Sequence, residues 1–326
     1  MVDGPIFVSG FSRGGTTILM NLIASHPDVC TVGESHQLFK GSNILDSPLQ
    51  IASKAVFRDL PVILATGQDF LSPRNIGDRP AITGRTRNLI RRVFEQTKSD
   101  SQHEHLNRFK APGVVYQQPE IDAARMLAKN LDGAVLITDV LREIWPNCHF
   151  VGLTRHGLAV CEGHTRRGRT ATAVGKLFSR VAGKMIEDSQ TMDNYQLIRF
   201  EDLMARPVEV LRTILAGLNL DPTELKHVRL QQRKMVTTSG DHRLTGDGGS
   251  EWDVCWLSPD ELSDRLDPDV NERQIGQLSG HDRADFLEQA ESTMTALQYE
   301  YERHTLKFEQ AGSSNLERRS KNRRAA

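Results

Sequence analysis

A glycine-rich stretch near the start of the chain has the composition of a phosphate-binding loop. Residues 10–17 read GFSRGGTT, after three apolar residues at positions 6–8 that predict a buried strand. The apolar residues that follow, at positions 18, 19, 22 and 23, have helical spacing. A loop between a strand and a helix N-terminus presents converging N–H groups and a favourable dipole to an anion. The stretch therefore predicts a phosphate site.

The loop differs from the Walker A phosphate loop in the position of its cation. G-x-x-x-x-G-K-[ST] requires lysine where this chain has Thr16, and the cation here is Arg13, in the middle of the loop. Such a loop can hold a phosphate without a lysine that reaches a β/γ pair. A tight strand-to-helix turn with no ligand is the alternative interpretation.

The same residues resemble the first motif of the sulfotransferases that use 3′-phosphoadenosine 5′-phosphosulfate (PAPS). That motif resembles G-F-P-R-S-G-T-T, followed by an apolar helix and often by H-P-x-V; residues 26–29 here read HPDV. Ser12 replaces the usual proline, and glycine replaces the serine at position 14. The resemblance implies that the 5′-phosphosulfate is held by the loop residues Arg13, Gly14, Gly15, Thr16 and Thr17.

A second motif follows a predicted strand at residues 148–153. The segment FVGLTRHG resembles the family's F-I-x-L-x-R-D-P/G, whose arginine binds the 3′-phosphate with help from a serine eight residues later. The resemblance implies that role for Arg155. The serine position holds Gly163, and His164 or Thr165 is the predicted substitute. A structural ion pair is the alternative role of Arg155. The motif's aspartate is also replaced, by histidine at position 156.

The candidate general base is Glu34. In the tyrosylprotein-type and many bacterial sulfotransferases a Gly-Glu after H-P-x-V carries the base, and Gly33 and Glu34 occupy the matching place. A carboxylate within hydrogen-bond reach can take the proton of an attacking hydroxyl. His36 is a rival base, and a capping or salt-bridged glutamate is the alternative interpretation.

A lysine is the candidate for stabilising the leaving group. Lys129 resembles the lysine of the family's K-x-P segment, although Leu131 replaces the proline. A cation there would stabilise the charge on the leaving phosphate oxygen. Lys110 is an alternative source, and an exposed lysine without a role is the alternative interpretation of either residue.

Two further segments complete the resemblance, which covers residues 4–220. Residues 198–203, IRFEDL, resemble V-R-Y-E-D-L. A late polar loop resembles the family's cofactor-covering loop in position only, through Ser239, His242 and Arg243.

Composition bounds the function classes. The 326 residues carry a formal net charge of -1, which gives no general drive toward nucleic acid or membrane. No apolar run reaches about 18 residues, so no membrane span is predicted. The first predicted strand starts at residue 6 and leaves no room for a signal peptide, so we expect a cytoplasmic protein. The four cysteines match no zinc pattern, and we expect reduced thiols and no metal; a disulfide would require a secreted or lumenal chain.

The alternation of predicted strands and helices indicates an α/β fold, with a doubly wound, mostly parallel sheet in three layers. Residues 134–145 predict an amphipathic helix, residues 286–299 predict a last helix, and Ser258 predicts the N-cap of another. We expect one domain over residues 1–310, with segments 41–84 and 237–250 shaping the acceptor and cofactor sites. We expect the polar, basic tail at 311–326 to be disordered.

The sequence thus favours a PAPS-dependent sulfotransferase that acts on a hydroxyl of a carbohydrate or small metabolite without a metal. A P-loop kinase of small molecules shares the fold, but it needs the Walker lysine that Thr16 replaces. An inactive nucleotide-binding or scaffolding protein is the other alternative, which Gly163 and Leu131 keep open. The oligomeric state does not follow from the sequence.

Overall fold

A computed structural model describes residues 4–34, 83–103, 116–233 and 252–300. Within them, one sheet has five strands: β1 (Ile6–Gly10), β2 (Val29–Glu34), β3 (Arg125–Leu131), β4 (His149–Thr154) and β5 (Tyr195–Arg199). Their order is β2-β3-β1-β4-β5, and every pairing is parallel. The strands β2 and β3 lie on one side of β1, and the later strands β4 and β5 lie on the other side. This confirms the doubly wound α/β fold.

Helices cover both faces of the sheet. They are α1 (Thr16–Ala24), α2 (Gly84–His103), α3 (Gln118–Ala123), α4 (Thr138–Ile144), α5 (Gly157–Thr165), α6 (Ala171–Thr191), α7 (Phe200–Ala205), α8 (Pro207–Gly217), α9 (Val270–Gly276) and α10 (Gly280–Ala296). Short 3₁₀ helices occupy Asp132–Ile137, Pro222–Glu224 and Pro259–Asp264. An antiparallel pair, β6 (Val228–Arg233) and β7 (Trp252–Leu257), forms a separate small sheet that the sequence did not predict.

Alternate residues of β1 point into two hydrophobic cores. Ile6 and Val8 lie in an aliphatic core with residues of α1, α7 and α8, whereas Phe7 lies in a core rich in aromatic rings. There the Phe7 ring stacks on Phe150 of β4, with 5.4 Å between centroids, and contacts Trp145 at 5.7 Å. All three β1 side chains are fully buried, so the prediction of a strand buried on both faces is confirmed.

The parallel register brings the candidate residues to one edge of the sheet. Gly10, the last residue of β1, is level with Leu131 of β3 and Leu153 of β4. The phosphate loop, the end of β3 and the segment after β4 therefore meet at the carboxyl edge. In open α/β sheets this edge, next to the point where the winding reverses, is where ligands bind.

The single helix predicted for residues 134–145 is wrong. The chain instead forms a 3₁₀ helix, whose last four residues are buried, and then starts α4 at Thr138. The Thr138 hydroxyl donates to the Val135 carbonyl at 2.8 Å, which takes that carbonyl out of a regular helix ladder. Burial on all sides also removes the polar face that an amphipathic helix needs.

The prediction of Ser258 as an N-cap is confirmed, but the helix it caps, Pro259–Asp264, is a 3₁₀ helix; the Ser258 N–H and hydroxyl both donate to Glu261, at 2.7 and 2.9 Å. Another helix prediction needs correction at its ends. The last helix, α10, starts six residues earlier than predicted, because the Ser279 hydroxyl accepts the Asp282 N–H at 3.0 Å and caps it.

Several predictions lie outside the described residues. They are those on His36, on Lys110, on nearly all of segment 41–84, on segment 237–250 with Ser239, His242 and Arg243, and on the tail at 311–326.

Two glycines inside α6 should respond in opposite directions to alanine. A Cβ at Gly175 would lie 2.8 Å from the Phe286 carbonyl oxygen of α10, whereas a Cβ at Gly183 meets nothing within 4 Å. We expect Gly175→Ala to lower the free energy of unfolding by about 1–3 kcal/mol through overpacking. We expect Gly183→Ala to raise it by about 0.5–1 kcal/mol, because alanine loses less backbone entropy in a helix. Urea denaturation measures both, and effects of equal sign would contradict the close packing of α6 on α10.

Candidate functional site

The loop between β1 and α1 has the backbone geometry of an anion-binding nest. Arg13 and Gly15 are left-handed, with φ of 69° and 88°, and the Gly14 N–H donates to the Phe11 carbonyl at 2.9 Å. Left-handed residues within a turn direct successive N–H groups toward one side, where an anion can be held. Gly15 has no room for a side chain, because a Cβ would lie 2.3 Å from the Phe200 ring.

A cleft opens beside this loop. Its lining comprises Arg13, Gly15, Thr16, Thr17, Ile18, Arg155, Gly163, Arg166 and Gln274. The structure thus brings together most of the residues predicted to hold the donor, from the loop and from the end of β4. Three arginines line the cleft, and their positive charge favours an anionic ligand.

Arg155 is buried, with 6% of its surface exposed, and its guanidinium is held on three sides. It donates from Nε to Asn271 Oδ1 at 2.7 Å, from Nη1 to the Arg13 carbonyl at 2.7 Å, and from Nη2 to Gln274 at 2.6 Å. Burial lowers its pKa to about 10, against the nearby carboxylates of Glu201 and Glu162, which raise it. Arg155 is therefore charged at neutral pH. It holds the phosphate loop through the Arg13 carbonyl, and it also lines the cleft.

A carboxylate behind Arg155 orients its partners. Glu201 accepts from the backbone N–H of His156 at 2.9 Å, from the Asn271 amide, and from the Tyr299 hydroxyl at 3.0 Å. Because the Asn271 amide donates to Glu201, its oxygen is turned toward Arg155. Glu201, the glutamate of the segment IRFEDL, thus affects the cleft indirectly: it orients Asn271, which binds Arg155.

His156 performs the capping that an aspartate would perform at the same position. Its Nδ1 accepts the Leu158 N–H at 3.3 Å at the start of α5, and its Nε2 donates to the Glu300 carbonyl at 2.9 Å. This pair of bonds requires a neutral ring with the proton on Nε2. Burial lowers the pKa of His156, which favours the neutral form.

Glu34 and Lys129, which together with Arg13 are the predicted catalytic residues, are in contact. Lys129 Nζ lies 2.7 Å from Glu34 Oε1 and 3.5 Å from the Thr17 hydroxyl of the phosphate loop. The two residues are cross-strand partners, and an irregularity between Thr31 and Gly33 (φ 82°) sets that register. The pair is mostly buried, with exposed side-chain fractions of 26% for Glu34 and 11% for Lys129. A carboxylate and an ammonium thus stand beside the nest.

The segment that lacks the expected serine is shaped by Arg13. A Cβ at Gly163 would lie 3.0 Å from Arg13 Cβ and 3.2 Å from Arg13 Cγ, so glycine makes room for the arginine stem. His164 is 5% exposed, and its Nε2 lies 3.0 Å from the Ser12 carbonyl. The Thr165 hydroxyl donates to the Glu162 carbonyl at 3.2 Å. The residues of this segment that line the cleft are Gly163 and Arg166.

Comparison with known proteins decides the family. A family model described as the sulfotransferase family matches residues 5–224, which is most of the chain. The chain belongs to the sulfotransferase family. A search of curated proteins found no match.

Solved structures that match this chain include two sulfotransferase domains and one mouse sulfotransferase. The sulfotransferase domain of the Synechococcus PCC 7002 olefin synthase is 17% identical, over 92% of this chain and 97% of that chain, with a TM-score of 0.44. The sulfotransferase domain of the curacin biosynthetic pathway is 17% identical, over 92% and 99%, with a TM-score of 0.47. A mouse sulfotransferase complexed with PAP is 14% identical, over 91% and 89%, with a TM-score of 0.37.

Sequence reasoning missed three residues of this sulfotransferase's site. Gln274 and Asn271 lie on α9, more than a hundred residues after Arg155, and match no motif. Arg166 lies in the run RRGR at residues 166–169, which was a detectable signal of positive charge beside the second motif.

The described residues show neither a membrane-spanning helix nor a metal-binding cluster. No helix in residues 4–34, 83–103, 116–233 or 252–300 is long and apolar enough to cross a membrane. The same ranges contain no group of three or more histidine, cysteine or acidic residues arranged to hold a metal ion.

The buried His156 should make stability depend on pH. Since its pKa is lowered in the folded protein, the unfolded chain binds a proton more readily. The free energy of unfolding should therefore fall as pH drops below the ordinary histidine pKa of about 6.5, by at most about 1.4 kcal/mol per pH unit for this residue. His156→Asn keeps an acceptor for the Leu158 N–H but cannot titrate, so the slope should decrease.

Urea denaturation between pH 5 and 7.5 measures this slope. His281→Asn is the control, because that side chain is 83% exposed. A His156→Asn protein with the wild-type slope would show that His156 does not contribute.

Proposed function

We propose that this sulfotransferase moves the sulfuryl group of PAPS to a hydroxyl of a carbohydrate or a small hydroxylated metabolite and releases PAP. The proposal rests on one observation: an arginine-lined nest lies beside a carboxylate–ammonium pair. The nest suits a phosphosulfate, and the pair of Glu34 and Lys129 lies within reach of its Thr17.

The donor is held at both of its phosphate groups. The N–H groups of the nest and of the first turn of α1, with Arg13, Thr16 and Thr17, bind the 5′-phosphosulfate. Arg155 binds the 3′-phosphate together with Arg166, which takes the place of the missing serine in the cleft lining. A guanidinium forms charge-assisted bonds to a phosphate, which are about twice as strong as neutral ones.

Transfer requires one proton acceptor and one stabilised leaving group. Glu34 takes the proton of the acceptor hydroxyl, whose oxygen forms a bond to sulfur while the bond from sulfur to the phosphate oxygen breaks. The electron pair of the broken bond stays on the 5′-phosphate of PAP. Lys129 and the nest stabilise that developing charge. The Glu34–Lys129 contact places both functions next to each other.

The compartment is part of the proposal. Cys148 and Cys161 are buried thiols, and burial raises the pKa of each to about 12. Thiols of this kind are inert and suit the reducing cytoplasm.

PAP without magnesium should stabilise the protein. A ligand that binds only the folded state at a hundred times its Kd adds about 2.7 kcal/mol, so we expect a clear rise in melting temperature. Arg13→Ala should remove most of that rise, because Arg13 lines the nest. The control is Arg206→Ala, an exposed arginine in a surface ion pair with Glu209.

Three results of the melting experiment separate the candidate functions. PAP alone should stabilise a PAPS-dependent enzyme. Stabilisation by ATP with magnesium in place of PAP would indicate a kinase, and stabilisation by neither would contradict a nucleotide donor.

Glu34→Gln tests the general base. Glutamine keeps the size of the side chain but cannot accept a proton at neutral pH, so turnover should fall about 10²–10⁴-fold. PAP affinity should change little, because Glu34 does not line the donor cleft. Turnover of the best acceptor found in a screen with labelled PAPS, together with PAP binding, measures both quantities.

The control for this variant is Glu209→Gln, on the exposed face of α8. A folded Glu34→Gln protein that kept more than about a third of wild-type turnover would rule out the assignment.

A further inference from the structure

Ser12 of the phosphate loop is held by two side chains outside the donor cleft. Its N–H donates to Asp132 Oδ1 at 3.0 Å, and its hydroxyl donates to Asp132 Oδ2 at 2.7 Å. His164 Nε2 lies 3.0 Å from the Ser12 carbonyl oxygen and 3.2 Å from the Ser12 hydroxyl. We call Ser12, Asp132 and His164 the Ser12 clamp. It satisfies the N–H, the carbonyl and the hydroxyl of one loop residue.

The clamp can form with one consistent set of protons. The Ser12 hydroxyl donates a hydrogen bond to Asp132, and a neutral His164 with its proton on Nε2 donates one to the Ser12 carbonyl. Burial lowers the pKa of His164, although the nearby Asp132 carboxylate raises it and the Arg169 charge lowers it further. The lowered pKa favours the neutral ring that this bonding requires.

The clamp contains one left-handed residue, Asp132, and adjoins another, Arg13. Arg13 and Asp132 have φ of 69° and 51°, in the left-handed region that glycine normally occupies. A non-glycine residue is strained there, and such strain persists where surrounding contacts fix the backbone. On the N-terminal side of Arg13 those contacts are made by the clamp, and on its C-terminal side by Arg155, which binds the Arg13 carbonyl.

The left-handed conformation of Arg13 determines the direction in which the N–H groups of the nest point. It turns the following N–H groups of the loop to the anion side. A proline at position 12 would fix the backbone with its ring. Ser12 has no such restraint, so the hydrogen bonds of Asp132 and His164 supply it.

We propose that Asp132 and His164 are positioning residues, which hold Ser12 and the left-handed Arg13 so that the nest meets the 5′-phosphate of the donor. The proposal rests on the proposed function, since it takes the donor to be PAPS. Neither residue lines the cleft, so both act through the loop backbone.

The test compares two ligands that differ at the 5′-phosphate. Equilibrium binding of PAP and of adenosine 3′-monophosphate, which lacks the 5′-phosphate, is measured for wild type, Ser12→Ala and Asp132→Asn. Loss of a hydrogen bond to a charged group should weaken PAP about tenfold or more, whereas adenosine 3′-monophosphate should bind as before. The control is Asp139→Asn, because Asp139 is half-exposed on α4 and pairs with Lys184 at 3.5 Å.

A double variant and a conservative substitution of His164 add readouts that a general loss of stability would not give. If the hydroxyl acts through Asp132, the double variant Ser12→Ala/Asp132→Asn should bind PAP no more weakly than Asp132→Asn alone. His164→Leu should weaken PAP, whereas His164→Gln, which keeps an N–H donor of similar reach, should recover most of the loss.

The outcomes separate this proposal from the donor assignment. Wild-type protein that binds neither ligand would overturn the donor and the proposal together. Wild-type binding of PAP, combined with equal losses of both ligands or no loss in the variants, would overturn the positioning role alone. If Asp132→Asn does not fold, Ser12→Ala decides the matter, because it removes one oxygen from a half-buried residue and leaves its N–H bond to Asp132.

Discussion

The buried guanidinium of Arg155 is the interaction on which the site depends. It joins the end of β4, the carbonyl of Arg13 in the phosphate loop and two side chains of α9. A buried charge is costly unless its hydrogen bonds are satisfied, and here they are met by neutral oxygens with the Glu201 carboxylate behind them. The Phe200 ring, 4.4 Å from the guanidinium carbon, covers its face. Removing any one partner would leave a buried donor unsatisfied.

The sheet topology explains why residues far apart in the chain meet there. Because β1 is central and its two neighbours, β3 and β4, are parallel to it, three strands end side by side at Gly10, Leu131 and Leu153. The segments after those strands supply the nest, Asp132 and Arg155. A lysine on β3 and a glutamate on β2 complete the site only because β2 pairs with the far side of β3. The order of the strands thus brings together the nest, Asp132, Arg155, Glu34 and Lys129, whereas Asn271 and Gln274 come from α9.

The sequence predicted the groups that stand in short motifs, each within one strand–loop unit: the nest, Arg155, Glu34 and Lys129. It missed Asn271 and Gln274 on a distant helix, and it also missed Arg166, although the arginine run at 166–169 is local. The contact between Glu34 and Lys129 depends on the irregularity in β2, which no short pattern encodes. Likewise the bond from Ser12 to Asp132 spans 120 positions. The regular helix predicted from residue 134 gives no sign of this bond, because a left-handed aspartate followed by a 3₁₀ turn leaves no periodic signal.

Gly163 shows how a departure from a motif is offset elsewhere in the site. A serine there would offer one hydroxyl to an anion, but its Cβ would press on the Arg13 stem, 3.0 Å away. Glycine instead allows Arg13 to lie across α5 and face the cleft, and the same helix end presents Arg166. Since charge-assisted bonds are about twice as strong as neutral ones, the Arg166 guanidinium offers an anion a stronger partner than the missing hydroxyl would. Glycine at position 163 is therefore compatible with anion binding.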